Sequence, residues 1–88
     1  MELEWDDRKA AQNLEKHGVS FEDARSFDFD TAVTIEDTRY AYPEPRWIAF
    51  GVIRDRPHIL IYTWREQRVR VISLRRANPR EVRRYGRT

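Results

Sequence analysis

The sequence predicts an α+β domain: two N-terminal helices, a small, mainly antiparallel sheet of about four strands, and a C-terminal helix. Three observations predict it. Apolar residues near the start recur at helical spacing between cap signals. From residue 31 the period changes to extended, β-branched runs. After the last such run, Asn78-Pro79-Arg80-Glu81 reads as a helix start, with Asn as cap, Pro at the first position and Glu at the third.

Each element has a local reason. Asp6 or Asp7 can cap the first helix, Ala10, Leu14 and His17 recur on one face, and Gly18 stands where a left-handed residue ends a helix. Ser20 opens the second, with Asp23 at its third position and Val19 placed to staple against Ala24. Residues 31–35 form a β-rich run, and 36–45, holding Pro43 and Pro45, a loop. Stronger strands follow at 47–53, 58–64 and 69–74, joined by Arg54-Asp55-Arg56-Pro57 and Arg65-Glu66-Gln67-Arg68, links short enough to force an antiparallel meander. The first two of these are apolar on both sides and belong at the centre of the sheet. A basic helix then runs through Tyr85, with Arg83 and Arg87 on its solvated end. The helices are expected to cover one face of the sheet. Residues 1–88 are expected to make a single domain, being too few for an independent second unit.

Composition narrows the function. The chain has no Cys, which removes disulfides and thiolate chemistry, and two isolated His, His17 and His58, which cannot build a metal site alone. No cofactor or metal is expected. No run approaches the roughly 18 apolar residues of a membrane span, and the acidic start Glu2-Leu3-Glu4 is unlike a secretory signal, so a cytoplasmic protein without membrane contact is expected. The net charge of +2 conceals a segregation: residues 1–45 hold twelve Asp/Glu against five Lys/Arg, whereas residues 65–88 hold nine Arg against two Glu. The guanidinium grips phosphate oxygens in pairs, so the C-terminal third is the expected nucleic-acid face.

RNA cleavage without a metal needs an acceptor for the 2′-hydroxyl proton, positive charge on the phosphate oxygens, and a donor to the leaving 5′-oxygen. Arginine supplies the second. Arg75 and Arg76 can meet one phosphate only if the last strand has ended there, as Ala77-Asn78-Pro79 suggests. Glu66, Glu81, Tyr85 and His17 are the proton-transfer candidates, Glu66 suiting a base or an organiser of its neighbours Arg65 and Arg68. Arg68, Arg70, Arg80, Arg83 and Arg84 extend the RNA-binding surface. Plain structural roles compete with each. An Arg-rich strand can simply be a solvated edge, His17 a packed corner residue and Glu81 a capping residue; Trp47, Tyr62 and Trp64 could stack bases, but strands this apolar favour core or interface, with Trp64 at its strand's end the exception.

Lys16-His17-Gly18-Val19-Ser20-Phe21-Glu22-Asp23-Ala24, preceded by Trp5-Asp6 and Asn13, together with Tyr62-Thr63, Arg70-Val71-Ile72-Ser73-Leu74-Arg75-Arg76-Ala77 and Glu81 to Tyr85, resembles the BrnT family of bacterial type II toxins. The likeness covers nearly the whole chain. It implies a RelE-like fold, ribonuclease activity on free or ribosome-bound mRNA that arrests translation, and a BrnA-like antitoxin that alone contacts operator DNA. Carried over by residue, it implies an active surface holding Arg65, Arg75, Arg76 and Tyr85. Leu74 stands where the family tends to a small residue, and Trp64 where polar residues are common. The expected function is thus a metal-independent endoribonuclease toxin in which Arg75 and Arg76 clamp phosphate, Arg65 assists, and Tyr85, Glu66 or His17 handles protons. The alternative is a non-catalytic module whose basic face docks RNA, ribosome or antitoxin.

Overall fold

The computed structural model describes residues 2–86; Arg87 lies outside them. In chain order the elements are β1 (Leu3–Trp5), α1 (Asp7–His17), a 3-10 helix (Phe21–Ser26), β2 (Val33–Glu36), β3 (Trp47–Ile53), β4 (Arg56–Arg65), β5 (Arg68–Arg76) and α2 (Pro79–Tyr85). The sheet order is β1-β5-β4-β3-β2, with β1 parallel to β5 and the remaining pairs antiparallel. The α+β class, the meander and the C-terminal helix agree with expectation. The sheet has five strands rather than about four, and one of the two N-terminal helices is a 3-10 turn.

Both differences have physical causes. β1 is three residues long and its partner begins more than sixty positions downstream, Leu3 lying against Val69, so no local turn signal announces it. In the 3-10 helix and its C-terminal cap, Phe21, Ala24 and Phe27 are buried at intervals of three, the spacing that a helix of three residues per turn keeps on one line. Asp23 does not close a capping box with Ser20 but faces Arg54 at 3.3 Å.

The core occupies one face of the sheet, where α1 and the 3-10 helix cover Ala49, Leu60, Tyr62, Val69, Val71 and Leu74. Gly51 is required there, because a Cβ would stand 2.5 Å from the Phe27 ring. A bulge interrupts the simple alternation of sides along β5: Tyr62 pairs with Val71 and Ile61 with Ser73, leaving Ile72 as the extra residue. Val69, Val71 and Leu74 therefore share the core side, and Arg70 and Arg75 share the other. The β3–β4 and β4–β5 links tighten to two residues each, Arg54-Asp55 and Glu66-Gln67, all four with positive φ, the backbone of the hairpin turn that matches strand twist.

α1 is joined to the sheet by one polar side chain. Asp6 caps the helix by accepting from the Arg8 and Lys9 N–H groups, and Gly18 closes it at φ 70°. The buried contact on the helix is Asn13 rather than Leu14, which is 51% exposed. Asn13 Nδ2 donates to the Leu74 carbonyl at 2.6 Å and the Val19 carbonyl at 3.1 Å, while its Oδ1 accepts from the Leu74 N–H at 3.2 Å. It thus acts as a short substitute strand on the stretch of β5 that extends beyond β1. The polar loop before β3 is likewise anchored by buried Asp37, whose carboxylate accepts from Arg39 and the Tyr42 hydroxyl and is held far below the usual carboxylate range, mainly by Arg39.

α2 lies on the sheet face opposite the core, so the expectation of helices on one face is corrected. Its capping box forms as expected: the Asn78 side chain accepts from the Glu81 N–H at 2.8 Å, and Glu81 accepts from the Asn78 N–H at 2.9 Å. The Tyr85 ring then packs on Phe50, centroids 5.8 Å apart.

Candidate nucleic-acid interface

Folding redistributes the charge segregation seen in the sequence. Acidic residues from the N-terminal half return to the β4–β5 hairpin end of the sheet: Glu2 meets Arg68 at 2.8 Å, Glu4 meets Arg70 at 2.6 Å, and Glu44 meets Arg65 at 2.7 Å. Much of the positive field is cancelled there. At the other end of β5 the balance differs. Arg76, Arg80, Arg83 and Arg84 form no ion pair with the described residues, and the ion pair of Glu81 is with Arg75. The unbalanced cationic surface is therefore narrower than the sequence suggested, comprising the C-terminal end of β5 and α2.

Arg75 is the best-fixed member. Phe50, Ile59 and Arg75 stand in one row across β3, β4 and β5, and α2 crosses this row with Glu81 over one end and Tyr85 over the other. Arg75 donates to Glu81 through both terminal nitrogens, at 2.8 and 2.7 Å. The same carboxylate closes the capping box, so one residue sets both the helix start and the guanidinium plane. Arg75 and then the Asn78 N–H hold the Glu81 carboxyl below its ordinary range. β5 continues in register through Arg76, opposite His58. Arg75 and Arg76 consequently leave opposite sides of the strand, and the expectation that the strand ends in time for both to face one way is not met.

His17 comes to the same end of the sheet from α1. It is partly buried, and burial, followed by the charges of Lys16 and Arg75, pushes its pKa below the ordinary histidine value. A neutral imidazole, able to accept a proton, therefore prevails around pH 7. Beside it a groove of about 250 Å³ opens between α1 and β5, lined by Lys9, Gln12, Lys16 and His17 on one side and Ile72 and Ser73 on the other.

Arg75 meets Glu81 directly and lies close enough to His17 for its charge to be felt there, whereas Arg76 leaves the other side of β5, Tyr85 packs on Phe50 two strands away, and Arg80, Arg83 and Arg84 lie along α2. The structure places Arg65, Glu66, Arg68 and Arg70 elsewhere. Arg65 pairs with Arg68 at the hairpin, whereas Ile59 pairs with Arg75, and six residues of strand amount to about 20 Å. Asn13 and the orienting role of Glu81 escaped the reading of the sequence. Asn13 sits at the centre of a helix face otherwise read as apolar, and the bidentate contact of Glu81 depends on which side of β5 Arg75 takes, which the bulge decides.

A family model described as "Ribonuclease toxin, BrnT, of type II toxin-antitoxin system" matches residues 5–81. The chain belongs to the BrnT family. Membership makes it a type II toxin-antitoxin ribonuclease toxin, with RNA as substrate and an antitoxin as partner. The BrnT match includes α1, the whole meander and Arg75, Arg76 and Glu81, and it ends before Arg83, Arg84 and Tyr85. None of the curated proteins compared with this BrnT-family chain matches it. Among its described residues no helix is long and apolar enough to cross a membrane.

Proposed function

We propose that this BrnT-family chain is a metal-independent, RelE-like endoribonuclease that cuts free or ribosome-bound mRNA in the cytoplasm, arrests translation, and is restrained by a BrnA-like antitoxin that carries the operator-DNA contact. The observation that supports the reading best is Arg75, set in one plane by Glu81 and standing near a neutral His17. In the chemical step His17 accepts the 2′-hydroxyl proton as the 2′-oxygen bonds to phosphorus. Arg75 stabilises the charge on the phosphate oxygens, and Arg76, on the other side of the strand, serves only to attract the RNA. The bond from phosphorus to the 5′-oxygen breaks, and the Tyr85 hydroxyl, one helical turn or about 6 Å beyond Glu81, donates to that oxygen. Arg80, Arg83 and Arg84 attract the strand. Arg65 and Glu66, at the hairpin, stand outside this step.

The test is cleavage by purified protein in EDTA. The rate is expected to be unaffected by the chelator; failure to cut either free RNA or ribosome-bound mRNA sinks the enzymatic reading in favour of a docking module. Co-expression with the antitoxin is expected to give a complex that no longer cuts, because an acidic or aromatic segment covers the cationic end of β5. A complex that leaves cleavage intact shows that inhibition does not work by masking.

The pH dependence follows from His17. Its pKa is lowered, so the base form persists below the ordinary histidine range, and activity is lost only as pH falls through the depressed pKa. Replacing Arg75 or Lys16 with a neutral residue removes a repulsive charge, raises the His17 pKa and moves the acidic limb of the rate profile to higher pH. Profiles for wild type and Lys16→Gln decide this; an unmoved limb assigns the base to another group.

A further inference from the structure

The chain's basic side chains are almost all arginine. Of its seventeen Lys and Arg residues two are lysines, Lys9 and Lys16, and both line the groove between α1 and β5. Seven positions apart on a helix is two turns, so they share a face, and α1's register against β5 is fixed by the Asn13 bonds to Leu74. No carboxylate lines the groove, although the N-terminal half of the chain is strongly acidic. Both lysines are exposed, which frees their ammonium groups to meet a ligand. The groove adjoins His17 and, through it, the end of β5 where Arg75 stands. Its polar lining, the amide of Gln12 and the hydroxyl of Ser73, suits the oxygens of a sugar-phosphate backbone, and Ile72, turned there by the bulge, gives it a short apolar floor.

We propose that the groove between α1 and β5 is a phosphate-binding subsite for the RNA strand, in which Lys9 and Lys16 hold backbone phosphates flanking the one at Arg75. The proposal rests on the ribonuclease reading for its choice of ligand and on Arg75 for the register of the strand. The two ammonium groups stand on helix positions about 10 Å apart along the axis, so together they follow the strand for more than one nucleotide. Lysine suits this role better than the catalytic one, because a mobile point charge tolerates different backbone conformations and imposes no plane.

The experiment measures binding separately from cleavage. A short 2′-O-methyl RNA oligonucleotide, which lacks the attacking hydroxyl, is titrated onto wild type, Lys9→Gln/Lys16→Gln and Lys9→Arg/Lys16→Arg at several salt concentrations. The glutamine pair is expected to bind severalfold more weakly and to lower the slope of log affinity against log salt by about 1.4, two single-strand phosphate contacts at about 0.7 each. The arginine pair, which keeps both charges, is expected to bind like wild type. An unchanged slope and affinity in the glutamine pair, with wild type still cutting RNA, overturns the subsite and leaves the ribonuclease reading standing. A lowered slope in a protein whose wild type cuts nothing keeps the subsite and removes the ribonuclease. Equal losses in the glutamine and arginine pairs overturn it, since charge would then not be what binds. So does full RNA affinity in a glutamine pair that no longer captures the antitoxin, which would make the groove a protein contact.

Discussion

Replacing Arg75 with Ala is expected to lower the saturated rate of RNA cleavage about a hundredfold or more, the range for removing one preorganised transition-state donor, while RNA affinity falls only severalfold. The reason lies in how Arg75 is held. Both of its terminal nitrogens are fixed on Glu81, so its orientation is set before substrate arrives. Nη1 also donates to the Arg76 carbonyl at 3.3 Å, and Arg76 and Arg80, which form no ion pair with the described residues, add positive charge at this end of β5. Arg75→Lys should recover little, because an ammonium cannot span the carboxylate and a phosphate in one plane. Glu81→Gln should cost less than Arg75→Ala, since an amide can still close the capping box and accept one guanidinium bond. Arg83→Ala and Arg84→Ala, on the exposed side of α2, should instead weaken binding modestly and reduce its salt slope by about 0.7 each, with the saturated rate near normal. Affinity and saturated rate measured across these variants separate the two roles. Equal losses of affinity at every position, with no loss of rate, would reduce the basic end of the sheet to a docking surface.

What the sequence made legible was local. The capping box at Asn78 and Glu81, the glycine that closes α1, and the meander each depend on residues within a few positions of one another, and each forms as expected. What it concealed was decided by contacts between distant segments. β1 exists because β5 offers it an edge. The bulge at Ile72 reverses the side taken by the last residues of β5, and with it the partner of Arg75. The charge pattern shows the same limit: nine arginines in a row of twenty-four residues read as one cationic face, yet Glu2, Glu4 and Glu44 return from the other half of the chain to neutralise the hairpin end. Arg68 and Arg70 were indistinguishable from Arg75 and Arg76 until that pairing was known. The family blocks Lys16 to Ala24 and Arg70 to Ala77 are joined in the fold by Asn13, through the Val19 and Leu74 carbonyls.

Asn13→Ala is expected to be strongly destabilising. The side chain is 7% exposed and satisfies three backbone groups: the Leu74 N–H, the Leu74 carbonyl and the Val19 carbonyl. Alanine fills part of the space but leaves all three without partners, at about 1–3 kcal/mol for each buried group. Water entering from the adjoining groove offsets some of this, leaving a loss of roughly 3 kcal/mol. For a domain of this size that is a large share of a total stability of about 4–13 kcal/mol, and the melting temperature should fall by about 12–24 °C. Asn13→Leu should do no better, because its apolar atoms cannot substitute for an edge of β5. Denaturant unfolding of the two variants against wild type checks this. A loss under 1 kcal/mol in both would mean that α1 is held to the sheet by packing at Ala10 and Val19, and that the position of His17 beside Arg75 does not depend on Asn13. Below the melting transition the same substitution should also reduce cleavage, since the bond that fixes α1 against Leu74 is the one that sets where His17 stands relative to the next residue, Arg75.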